Sequence, residues 1–223
     1  VTNSVIDFPK LAGSSNVQVE PEIALYADIV YGRDGKTVER LIPRRVAAFN
    51  DCSIRSLEGS QKLSEKKNWG AGSKGISTQS FRVKSFGPGS LVDHLTLVSY
   101  VKRGEETHLY SAAAAARSYL MFHEPLLEWI VDQMNNQETT GKWENIAELL
   151  AACDYPNSAW IALGAGEYTE WGEKNFLQPK DEALVVVYDE RTFPDGPDAE
   201  LIEALFDDGH APPGLICVHQ TLV

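Results

Sequence analysis

The sequence predicts an α+β fold with three parts: an N-terminal antiparallel β-rich region, central helices, and a C-terminal strand–helix–strand segment of βαβ type. Three observations carry this. Residues 23–31 are dominated by Val, Ile and Tyr and lead to an Asp34-Gly35 turn signal. Five consecutive alanines, the best helix former, stand near the middle. Two short apolar runs, "ALVVVY" and "GLICVH", flank the amphipathic "DAELIEALF".

In chain order, "IALYADIVYGRDGKTVERLIPRRVAAF" reads as a hairpin or meander, with Pro43 ending its second strand or placing it at an edge. Residues 56–75 lack an apolar period and read as a long mobile loop, with at most a short helix at 57–63. "ISTQSFRVKSF" reads as a strand, "GPG" at 87–89 as a turn, and "SLVDHLTLVSYVKR" as a central strand apolar on both faces. "THLYSAAAAARSYLMFH" reads as a helix, stopped by Pro125 near the first position of the next one. That next helix carries Leu126, Leu127, Ile130, Val131 and Met134 on one stripe. After a break at Thr139–Gly141, "WENIAELLAA" places Trp143, Ile146, Leu149 and Leu150 on one face. "AWIAL" at 159–163 and "ALVVVY" at 183–188 read as buried strands, and the helix between 183–188 and 214–219 implies a right-handed parallel crossover. The chain reads as one mixed domain, 1–223, with sub-lobes 1–103 (β-rich, basic) and 104–223 (helical plus α/β, acidic).

At 223 residues the chain can bury a sizeable core without staples. No apolar run is long enough to span a bilayer, and the N-terminus shows no basic start followed by an apolar stretch, so no signal peptide is expected. Cys52, Cys153 and Cys217 are odd in number and far apart, with no Cys-x-x-Cys pair. That pattern excludes a disulfide framework or zinc knuckle and favours a reduced, cytoplasmic setting.

The net charge of −12 is uneven. Residues 33–103 hold 14 Lys/Arg against 6 Asp/Glu, whereas residues 151–223 hold 3 against 14. Either the basic block seeks an anion, shielded by the acidic part, or the two are solvated faces of opposite sign.

The motifs divide along the same line. "GAGEYTEWGE" (164–173) follows an apolar strand, but it lacks the third glycine and the helix of a dinucleotide fingerprint. Glu167 stands where a phosphate would, so the stretch reads as a turn carrying Tyr168 and Trp171, packed on the body or offered to a partner. "WGAGSKG" (69–75) is the better anion cradle, with Lys66, Lys67 and Lys74 adding charge. His123-Glu124 reads as a helix-end pair. Asp189 and Glu190, with Asp207 or Asp208, are the weak candidates for a hard-cation site, with His219 as a third catalytic group. No metal site or cofactor is otherwise expected.

The basic, Gly/Ser-rich stretch 56–86 sits between strands. The layout of a basic β region before an acidic part is similar to that of gasdermin-type pore formers over roughly residues 20–103, with no shared motif. That resemblance implies a membrane hairpin with Arg82 and Lys84 facing a lumen or headgroups. The leading expectation is a non-catalytic interaction protein whose basic β surface, with Arg44, Arg45, Lys66, Lys67, Lys74, Arg82 and Lys84, meets an acidic protein or anionic lipid surface. Homo-oligomers fit this; sequence-specific nucleic-acid binding does not, since no zinc pattern or basic helix is present. The alternatives are a membrane-active pore former using 56–86, and a small metal-dependent enzyme at the carboxyl ends of the C-terminal strands.

Overall fold

The computed structural model describes residues 1–9 and 16–223. In chain order, β1 (Val5–Ile6), β2 (Val17–Gln18), β3 (Pro21–Tyr31), β4 (Val38–Asn50) and β5 (Ser53–Ile54) come first. Then follow α1 (Leu63–Lys67), β6 (Gly75–Ile76), β7 (Phe81–Arg82), β8 (Leu95–Arg103) and β9 (Glu106–Ala115). α2 (His123–Asn136), α3 (Ile146–Ala152), β10 (Ser158–Ala165), α4 (Glu170–Lys174), β11 (Glu182–Asp189), α5 (Ala199–Asp207) and β12 (Leu215–Leu222) complete the order. The fold is α+β and rich in strands.

One sheet runs β1-β12-β11-β8-β9; the other runs β10-β3-β4-β6, with β7 also on β4. Strands from both halves of the chain share each sheet, so the pairing does not follow the boundary at 103. β11 explains how the layers stack. Ala183, Val185 and Val187 point into the core between the sheets, while Leu184, Val186 and Tyr188 point the other way, onto Ile202, Leu205 and Phe206 of α5. Both parities are therefore apolar, as a strand buried on two faces requires. Each such Val or Leu contributes roughly 1.5–3 kcal/mol by leaving water. Asp198 caps α5, its side chain accepting from the Leu201 N–H.

Several elements follow the sequence reading. The β3–β4 hairpin turns at Asp34-Gly35, where Gly35 has φ +68° and Asp34 accepts the N–H groups of Lys36 and Thr37. α2 buries Leu126, Leu127, Ile130 and Met134, and Pro125 sits in its first turn, where its missing N–H costs nothing. β8 is central, between β11 and β9.

Others differ, each for a physical reason. The alanine run is strand, not helix. Gly104, at φ +62°, turns the chain back between Arg103 and Glu106, and the edge of β8 needs a partner. Backbone pairing there outweighs alanine's helix preference, which is a weak prior. Pro43 lies inside β4 rather than at its end, and the edge alternative holds, since among the described strands β4 has only β3 beside it there. A register shift between Tyr26 and Ala27 accommodates it, and β7 and β6 pair with β4 only beyond it, at Arg45–Val46 and Phe49–Asn50. Within 56–75 the expected loop carries α1, a 3₁₀ turn at Ala71–Ser73 and the start of β6, with the helix beginning where it was expected to end. "ISTQSFRVKSF" contributes only two-residue strands.

α3 buries Leu150 but leaves Leu149 52% exposed and, before it, Trp143 46% exposed, so their shared face is not a core face. β10 is an edge strand with Trp160 exposed. β11 and β12 are antiparallel, with Val185 opposite Val218. The α5 connection returns to the end of β11 it left, where the Asp189 N–H donates to Gly214 O, so there is no parallel crossover.

Candidate metal centre

Glu20 and Glu22 flank Pro21 at the start of β3. Extended backbone repeats every two residues, so the two side chains share one face. Pairing of β3 with β4 sets Pro21 opposite Asn50, and the Asp51 N–H donates to Glu20 O at 2.9 Å. This register brings Asp51 to the two glutamates. One carboxylate oxygen from each of Glu20, Glu22 and Asp51 lies within 4.8 Å of the others, and all three residues are buried.

The surroundings fix two of the three carboxylates. Glu20 Oε1 accepts from Ser53 Oγ at 2.5 Å and from Arg55 at 3.0 Å, and its Oε2 accepts from Lys67 Nζ at 2.6 Å. Asp51 Oδ1 pairs with Lys74 Nζ at 2.8 Å, and Asp51 Oδ2 with Lys67. Among the described residues no hydrogen bond or ion pair reaches the Glu22 carboxyl. Burial, and then the charge of Asp51, push its carboxyl up to about 8. That shift favours the protonated acid at neutral pH in the metal-free centre. Three hard oxygen donors at this spacing suit Mg²⁺, Mn²⁺ or Ca²⁺.

A cavity of about 240 Å³ opens beside Glu20, lined by Ser53, Arg55, Leu63, Lys66 and Lys67. A larger one of about 720 Å³ is lined by Ala112–Ala115, Ser118, Tyr119, Gly166 and Glu167. The Tyr119 phenol is close enough to Glu22 for that charge to add to burial in raising its pKa. The alanine run thus leaves room where larger side chains would fill the hollow.

The loop "WGAGSKG" packs against Asp7 of the same chain. The Gly72 N–H donates to Asp7 Oδ2 at 3.1 Å, and the Trp69 indole donates to Asp7 O at 2.8 Å. Gly75 packs so closely on the Gln220 side chain that a Cβ there would clash. Thr2 bridges to Gly75, and β1 pairs with β12.

The other sequence candidates are dispersed. Arg44 pairs with Asp28 at 2.7 Å and Arg45 reaches Ser80; Arg82 and Lys84 are exposed. Lys66 lines the smaller cavity. Asp189 is held by Arg191 at 2.6 Å, which keeps its carboxyl below the usual range. Glu190 is held by Arg117 and Thr96, with the same effect. His219 pairs with Glu182 at 2.7 Å. Tyr168 donates to Val19 O, and Trp171 stacks on His108 with ring centroids 4.1 Å apart, so both rings lie against the body. His123 opens α2 and meets Asp93 at 2.5 Å. The acidic trio was missed because Asp51 reaches the glutamates only through strand register. Its one local signal is a Glu-Pro-Glu step opening an apolar strand.

The family model described as "Family of unknown function (DUF5718)" matches residues 1–210. The chain belongs to this family. No curated protein matches it in sequence. Among solved structures it is similar to 2-keto-3-deoxy-D-arabinonate dehydratase complexed with magnesium and 2,5-dioxopentanoate. The TM-score is 0.53 and the identity 14%, covering 99% of this chain and 58% of that one. A chain from Oleispira antarctica assigned as a fumarylacetoacetate isomerase/hydrolase gives a TM-score of 0.54 at 11% identity, covering 100% and 78%. One from Yersinia pestis, assigned to the fumarylacetoacetate hydrolase family, gives 0.51 at 13%, covering 99% and 76%. The chain spans 55–64% of the length of several matched structures. At these identities the likeness establishes the fold.

These findings overturn two expectations. The non-catalytic interaction role is overturned, because the solved structures similar to this chain carry enzyme names and because Lys67 and Lys74 face inward onto carboxylates. The pore-forming and membrane-binding reading fails on the same fold. In the 56–86 region the short elements β6 and β7 pair with β4, and Val83 and Phe86 are buried in the core. Among the described residues no helix is long and apolar enough to cross a membrane.

Proposed function

We propose that this chain is a divalent-metal-dependent enzyme acting on a small oxo-carboxylic acid. The observation that carries the reading is the buried trio Glu20, Glu22 and Asp51, with no partner for the Glu22 carboxyl among the described residues. The magnesium and dioxo ligand named for one structure of the same fold support it. Glu20, Glu22 and Asp51 would hold the ion, which when bound supplies a Lewis acid to polarise a substrate carbonyl. Arg55 and Lys66, lining the adjoining cavity, supply positive charge for a substrate carboxylate. Ser53 and Arg55 orient Glu20, and Lys74 orients Asp51, so the donor oxygens are fixed before any ion binds. The smaller cavity suits a compact acid rather than a polymer.

The test is Mn²⁺ and Mg²⁺ titration by calorimetry, followed by turnover of a panel of 2-oxo and 2,4-dioxo acids. Metal binding lost in Glu22→Gln and Asp51→Asn, with metal-dependent turnover of at least one such acid, supports the reading. Absence of metal binding at millimolar concentration would sink it, as would turnover that survives both substitutions.

A further inference from the structure

The oxygens of the trio are not equally committed. Glu20 Oε1 is taken by Ser53 and Arg55, and Asp51 Oδ1 by Lys74. Each carboxylate therefore has one oxygen clamped by a fixed neighbour and one left over. The left-over pair, Glu20 Oε2 and Asp51 Oδ2, is filled by a single group, the ammonium of Lys67. A divalent ion bound by the trio would have to share those carboxylates with it.

We infer that Lys67 is the internal counter-cation of the metal-free centre, and that a divalent ion binds by displacing its ammonium. The inference rests on the metal-dependent reading above. Lys74 is the wrong lysine for this role. Its ammonium also reaches the carbonyls of Cys52 and Lys67 and lies 5.8 Å from the centre of the Trp69 ring, so it is held from several sides. Among the described residues the Lys67 ammonium meets only the two carboxylates. It closes the five-residue helix α1 on a flexible four-carbon stem, and the cavity beside Leu63 and Lys66 gives that stem room to swing. A lysine placed this way keeps two buried carboxylates neutralised while the site waits, and it sets a threshold that weakly held cations do not pass.

Two readouts test this on the full chain. The first is Mn²⁺ affinity by calorimetry in wild type and Lys67→Met, which keeps the stem and removes the charge. The second is acetylation of Lys67 and Lys74 by an amine-reactive ester, followed by mass spectrometry with and without Mn²⁺. Displacement requires Lys67→Met to bind Mn²⁺ at least tenfold more tightly. It also requires Lys67 of the wild type to become several-fold more reactive on Mn²⁺ addition while Lys74 does not. Lys67 staying protected at saturating Mn²⁺ would overturn the inference and leave the metal site standing, as would affinities within twofold of each other. No Mn²⁺ binding by either protein would remove the metal reading and this inference with it. Should Lys67→Met fail to fold, the labelling of the wild type decides alone.

Discussion

Glu20 and Glu22 share one buried face across Pro21, yet Glu20 accepts from Ser53, Arg55 and Lys67 while no donor among the described residues reaches the Glu22 carboxyl. This asymmetry has a pH signature. In the unfolded chain Glu22 ionises near 4.5, whereas the folded chain holds its proton to about 8. Between these values the native state binds more protons, so stability falls as pH rises. The metal-free protein, in chelator, should therefore lose thermal midpoint from pH 5 to pH 8 by an amount that Glu22→Gln removes. Parallel profiles for the two proteins would refute this.

Asp51 carries two lysines. Replacing it by alanine strips one carboxylate partner from Lys67 and the carboxylate partner from Lys74. The loss should cost about 3 kcal/mol, because Lys74 keeps its desolvation without a carboxylate while Lys67 retains only Glu20. The same variant should show no stabilisation by Mn²⁺. Chemical denaturation with and without the ion measures both effects.

Gly172 in α4 is buried so closely on the Tyr110 carbonyl that a Cβ would collide with backbone. Gly172→Ala should push α4 away from β9 and break the Gln18 side-chain bond to Gly172 O, now 2.8 Å. A loss of roughly 2–3 kcal/mol is expected from overpacking of this kind. A wild-type thermal midpoint in this variant would show that the two elements separate freely.

Arg103 grips the buried Asp181 through Nε and Nη2, at 3.0 and 2.7 Å, and also donates to Phe176 O. Lysine cannot reproduce that fork. Arg103→Lys should therefore cost about 1–3 kcal/mol in urea unfolding, while Arg44→Lys, at an exposed pair with Asp28, should cost under about 1 kcal/mol. Equal costs would remove the distinction.

The elements legible in the sequence are those whose local pattern and tertiary setting agree. The hairpin at Asp34-Gly35, the stripe of α2, the doubly apolar β11 and the capped α5 all belong here. Residues 106–118 mislead because alanine carries no side-chain pattern to reveal which partner it serves. The hairpin at Gly104 decides the matter, and the large hollow lined by Ala112–Ala115 shows what their smallness leaves open. The centre was illegible for a related reason. Lys67 and Lys74 count as basic surface in any tally of charge, but both point inward, and Asp51 joins Glu20 and Glu22 only once β3 and β4 are in register.

The packing around Asp7 fastens the loop between Lys67 and Lys74 to the strand that opens the chain, and that strand is seated on β12. Both lysines therefore inherit the steadiness of a segment that supplies none of the three acids. If residues 2–8 lift from β12, the cations lose their footing together. Hydrogen exchange in β1 and the electrostatic balance of the three acids should then rise and fall as one event.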